Sequence, residues 1–103
     1  MITLVETETF SAWLAGLRDG TARARVQRRL DRLKLGNPGD VKPVGEGVSE
    51  MRIDYGPGYR IYYLRRGEVL VVLLAGGDKR SQSKDIKTAI RLAEEVKKLA
   101  WPS

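Results

Sequence analysis

Residues 48–64, VSEMRIDYGPGYRIYYL, decide the fold of this chain. From Val48 to Asp54 the residues alternate as in a strand. Glu50, Arg52 and Asp54 fall on one face, with Met51 and Ile53 nearer the other. Tyr55 to Gly58, a proline between two glycines, is a turn. Tyr59 to Leu64 resumes an extended pattern, and Arg66 with Gly67 makes the next tight turn. Glu68 to Ala75 follows, and its core from Val69 to Leu74 is apolar on both faces, the pattern of a central strand. Gly76 and Gly77 are expected to break that strand.

Upstream, Gly36 to Asp40 (GNPGD) is a strong breaker. Before it the period lengthens. Thr21 to Leu35 places Ala22, Val26, Leu30 and Leu33 on one helical face and Arg25, Arg28, Arg29 and Arg32 on another. An earlier helix is marked by Phe10, Trp13, Leu14 and Leu17 at i, i+3, i+4 and i+7, with Thr7 or Thr9 as its cap and Gly20 as its end. So short a link predicts an antiparallel helical hairpin, with Trp13 as a core anchor. Ile2 to Val5 is a first strand. Downstream, Ser83 or Asp85 caps a last helix that buries Ile86, Ala89, Ile90, Ala93 and Val96. The expected architecture is α+β, in the order β-α-α-β-β-β-α. An antiparallel sheet is packed by the N-terminal helical hairpin and the C-terminal helix, in a single domain spanning residues 1–103.

The chain contains neither Cys nor His. That excludes disulfides, a thiol nucleophile and a Ser-His triad, and removes the commonest zinc ligands. The carboxylates are scattered, so neither a metal nor any other cofactor is expected. No apolar run approaches the roughly 20 residues of a membrane span, and the N-terminus lacks a signal-peptide pattern, so a cytoplasmic setting is expected. Net charge is +6, and residues 21–35 hold six Lys or Arg against one Asp. A solvated helix face is the plain reading of that stripe. A surface for RNA or ribosome phosphates, carried by Arg25, Arg28, Arg29 and Arg32, is the functional one.

Three further cations stand in strands or beside glycines: Arg52, Arg60 and Lys79. Taken singly, Arg52 reads as an ion-pair partner and Lys79 as a loop charge. Successive antiparallel strands can bring all three to one end of the sheet, where they could hold a phosphate and stabilise charge developing on it. Neither phosphate-loop nor dinucleotide-binding spacing occurs around Gly76 and Gly77.

The ordered set GNPGD (36–40), VGEGV (44–48), EMRI (50–53), GPGYRIYY (56–63) and GGDK (76–79), followed by Gln82, Asp85 and Ile86, resembles the HigB-like branch of the RelE/ParE toxin superfamily. Such proteins are often called addiction module killer proteins. The resemblance covers essentially the whole chain and implies a RelE-like fold. It further implies the toxin of a bacterial type II toxin–antitoxin pair that cuts mRNA on the ribosome without a metal. The ribose 2′-OH is the nucleophile in such a reaction. By motif, Arg60 matches the phosphate-binding arginine, Arg52 a basic position on the preceding strand, and Lys79 the basic residue after the last strand. Members of the family place a Tyr or His near the start of the last helix or in the tail, where this chain has Asp85. Tyr59 or Tyr62 is the expected replacement for orienting the base, and Tyr62, on the strand face of Arg60, is the better candidate. The implied partners are a cognate antitoxin with a helix-turn-helix, the ribosome and mRNA. A ParE-like gyrase poison and a non-catalytic RNA- or ribosome-binding module are the competing readings.

Overall fold

In the computed structural model, which describes residues 1–99, the elements run β1 (Thr3–Glu6), α1 (Glu8–Ala15), α2 (Gly20–Lys34), β2 (Val41–Gly45), β3 (Val48–Ile53), β4 (Tyr59–Arg66), β5 (Leu70–Asp78), a 3-10 turn (Lys79–Ser81) and α3 (Gln82–Lys97). The described residues form one sheet in the order β1-β5-β4-β3-β2. β3, β4 and β5 form the antiparallel meander read from residues 48–75. β5 lies second from one edge, yet its residues from Val71 to Ala75 are all buried.

Several expectations are corrected. The sheet is mixed, because β1 pairs in parallel with β5. It has a fifth strand, β2, antiparallel to β3 and bulged between Pro43 and Gly45. Pro43 lacks the N–H that a ladder uses, and an edge strand tolerates that loss. The first helix stops at Ala15 with Gly16 as its cap. Asp19, not Gly20, separates the two helices: its carboxylate accepts from the Thr21 and Ala22 amides and starts α2. Thr7 caps α1 as expected. Neither Ser83 nor Asp85 caps the last helix. Asp78 and Ser81 form a capping box on the preceding turn instead.

β5 also runs through both glycines. Ile61 pairs with Gly76, Arg60 with Gly77 and Tyr59 with Asp78. The glycines are required by what lies over them. A Cβ at Gly76 would come within 2.2 Å of the Trp13 ring, and one at Gly77 within 1.7 Å of the Asp85 carboxylate. They face opposite sides of the sheet, so α1 and α3 each close onto the strand there.

The core has two halves. Phe10, Leu17, Val26, Leu30 and Leu33 from the N-terminal helical layer pack on Met51, Ile53, Ile61, Tyr63, Val71 and Leu73. Ala89, Ala93 and Val96 of α3 pack on Val48, Tyr62, Leu64, Val72, Leu74 and Ala75. Trp13 packs against the first half with Phe10 and Tyr59, so it anchors α1 to the sheet. A bulge in β5, where Tyr62 faces Ala75 but Tyr63 faces Leu73, lets Leu74 and Ala75 both join the α3 side.

A basic cleft at one end of the sheet

Continuing β5 to Asp78 brings the following turn beside the β3–β4 hairpin. The Lys79 amide donates toward the Pro57 carbonyl at 3.4 Å. Gly56 and Gly58 adopt positive φ, 53° and 79°, which a non-glycine residue holds only at a cost. Arg52 and Arg60 are direct cross-strand partners, and Gly77 is the next position on β5. The result is a cleft of about 440 Å³ lined by Arg52, Arg60, Lys79, Asp40, Asp54 and the Gly56–Gly58 turn. Arg52, Arg60 and Lys79 thus meet in one place.

Their settings differ. Arg52 is half-buried and pairs through Nη2 with Asp40 Oδ1 at 2.9 Å. Arg60 is more enclosed, its side chain 12% exposed. Its Nη1 donates to the Gly58 carbonyl at 3.1 Å, and its Nε faces Glu50 Oε2 at 4.0 Å. Lys79 is exposed at the rim. Two like charges directly opposite on neighbouring strands repel. Here each arginine has a carboxylate at its side.

Tyr62 shares the Arg60 face but does not reach the cleft. It is fully buried, and its hydroxyl donates to Glu50 Oε2 at 3.0 Å. Burial, then that hydrogen bond, push its phenol well above its ordinary pKa. A base cannot stack on it, so the expected orienting role of Tyr62 is withdrawn.

The helical arginines line a second depression of about 240 Å³, which shares Ile53 and Asp54 with the first. Arg28 and Arg32 are exposed there. Arg25 lies over the Tyr55 ring, 4.8 Å from its centroid, and Tyr55 stacks on Tyr59. Arg29 is committed elsewhere. Its Nη1 donates to the Arg52 carbonyl at 2.6 Å, and its Nη2 to the carbonyls of Pro38 at 3.0 Å and Asp40 at 3.4 Å. Burial lowers its pKa below the usual arginine value.

Sequence reasoning passed over Asp40 and Asp54 at the rim and Glu50 beneath it. Glu50 is fully buried and also accepts from Gln82 Nε2 of α3 at 2.8 Å. The available signal was the two-residue spacing from Glu50 to Arg52, which puts both on one strand face. Asp85 accepts from Ser81 at 2.5 Å and lies against Gly77. Among the described residues, no three His, Cys, Asp or Glu side chains group as metal ligands, and no helix is long and apolar enough to cross a membrane.

Residues 12–98 match the family model of phage-derived Gp49-like proteins. A protein of Haemophilus influenzae, described as uncharacterized, is 48% identical over 95 residues, covering 92% of this chain and 96% of its own. The chain therefore belongs to the phage-derived Gp49-like family, a toxin-type family related to RelE and HigB.

Proposed function

We propose that the chain is the toxin of a HigB-like type II toxin–antitoxin pair, a single toxin domain that cleaves mRNA on the ribosome in the cytoplasm without a metal. The observation that carries this reading is the convergence of Arg52, Arg60 and Lys79 on one cleft. RNA brings its own nucleophile. The 2′-oxygen bonds to the adjacent phosphorus, the bond to the 5′-oxygen breaks, and a cyclic phosphate and a 5′-hydroxyl result. The enzyme must orient the phosphate in line and stabilise charge on its non-bridging oxygens. Arg60 and Lys79 serve that charge, and Arg52, partnered by Asp40, closes the far side. The proton released by the 2′-OH has Asp54 as an acceptor at the cleft, since Asp40 is engaged with Arg52. The 5′-oxygen takes up a proton as it leaves. Arg28 and Arg32 on α2 supply phosphate contacts to the ribosome, and a helix-turn-helix antitoxin holds the toxin inactive.

Induction of the chain alone, followed by mapping of mRNA 5′ ends, tests the reading. Growth arrest with cuts in translated mRNA is the expected result. Arrest with intact mRNA and accumulated DNA breaks would replace it with a gyrase poison. Ribosome association without cuts would replace it with a binding module.

A further inference from the structure

The acidic side chain under the cleft is the least expected feature of this basic protein. Glu50 sits on β3 with no exposed surface, between Tyr62 of β4 and Gln82 at the start of α3. A carboxylate taken out of water is costly unless its oxygens are paired. Only Oε2 is paired by hydrogen bonds. Oε1 has no hydrogen-bond partner among the described residues, and neither does the buried Nε of Arg60, although the two side chains approach to 4.0 Å. A satisfied structural carboxylate would not leave its nearest cation so poorly used. The Arg60 guanidinium therefore has two edges with different surroundings. The Nε edge faces Glu50, while Nη1 is tied to the turn through Gly58, at the wall of the cleft.

We propose that Glu50 is a positioning residue. It holds the Nε edge of Arg60 so that the Nη edge is presented to an anionic phosphate in the cleft. Gln82 and Tyr62 fix the carboxylate, so the start of α3 sets the angle of the arginine. The identity of the anion as an RNA phosphate rests on the function proposed above; the geometric role of Glu50 does not. Planar guanidinium geometry makes the arrangement specific, because a lysine at position 60 could reach Glu50 or the phosphate but could not present two edges. The two uncommitted atoms, Oε1 and Nε, also suggest that the contact tightens when an anion draws Arg60 into place.

The test is ¹⁵N–¹H NMR of arginine Nε–Hε groups in the intact chain, with a 2′-O-methyl RNA oligonucleotide, which cannot be cut, as the probe. In the unaltered chain, Arg60 Hε should exchange with solvent far more slowly than that of Arg80, whose side chain is 85% exposed. The Arg60 signal should shift when the probe binds. Glu50→Gln should speed that exchange and weaken probe binding, with a loss on the order of tenfold or more for a displaced contact group. Arg60→Lys should not restore binding. If cleavage fails but these signatures hold, only the nuclease reading falls. Exchange at Arg60 as fast as at Arg80 in the unaltered chain would overturn the inference, even if Glu50→Gln does not fold. So would a folded Glu50→Gln whose Arg60 signal and probe affinity match the original.

Discussion

Two sets of arginines in this molecule share a side chain and little else. Arg52 and Arg60 stand opposite each other on β3 and β4, their separation fixed by strand register, and each has a carboxylate beside it. The arginines of α2 follow one another along a helix at the surface, where spacing sets their direction but few contacts fix their heads. Within that row, Arg29 differs from Arg28 and Arg32, because its guanidinium is spent on backbone carbonyls of the loop before β2 and of β3. Arg25, Arg28, Arg29 and Arg32 thus divide into a clip, an aromatic partner and two exposed charges, and Arg23 is tied to the Leu17 carbonyl. Charge identifies a surface as basic; only fixed geometry identifies a place where a single phosphate can be gripped.

The strongest way to break this contrast is Arg60→Ala. Loss of a preorganised charge at a developing oxyanion costs about 10²–10³ in rate. Cleavage after induction should fall by that order while circular dichroism stays unchanged. Retained cleavage would mean that the strand pair is ornamental.

Next in size is Gly77→Ala, which tests how closely α3 packs on β5 beside Arg60. Its Cβ would meet Asp85, and overpacking of this kind costs about 1–3 kcal/mol. A lowered denaturant midpoint is expected; an unchanged one would show that α3 yields freely.

Arg29→Ala and Arg28→Ala sharpen the split within the helix. Arg29→Ala leaves carbonyls without a donor, at about 1–2 kcal/mol of stability, whereas Arg28→Ala should stay within roughly 0.5 kcal/mol. Equal losses in chemical denaturation would erase the distinction. In ribosome binding the order should reverse, with Arg28→Ala reducing the salt slope by about one.

The smallest effect concerns the start of α2. The Tyr55 hydroxyl donates to Asp19, and with the Ala22 and Thr21 amides it holds the Asp19 carboxyl below its ordinary value of 3.8. A lowered folded pKa gives stability that is present above the unfolded value and lost as pH falls through the folded one. Asp19→Asn, which keeps a capping side chain but no charge, should therefore lower stability slightly above about pH 4, flatten the acid limb, and converge with the original chain at low pH. An unaltered acid limb would remove Asp19 from the account.

Much of the fold was legible because it is local. The arginine and leucine periods of residues 21–35 marked α2, and the alternation around Met51 and Ile53 marked β3. β2 was missed because Pro43 and Gly45 suppress every strand signal, and edge pairing with β3 alone makes it a strand. The parallel pairing of β1 with β5 was missed because its partners lie more than sixty residues apart. Gly76 and Gly77 looked like a break because their neighbours across space, Trp13 and Asp85, are invisible in the local run.

By itself the sequence determined the types of the elements other than β2, the cationic residues and their spacing, since periodicity and side-chain chemistry act over a few residues. It also sufficed to place Arg52 and Arg60 on adjoining strands. Tertiary structure alone decided that Tyr62 is buried, that Arg29 is consumed by carbonyls, and that Glu50 lies beneath Arg60. Burial and hydrogen-bond partnership depend on which distant segments cover a side chain, and strand alternation says only which face it occupies.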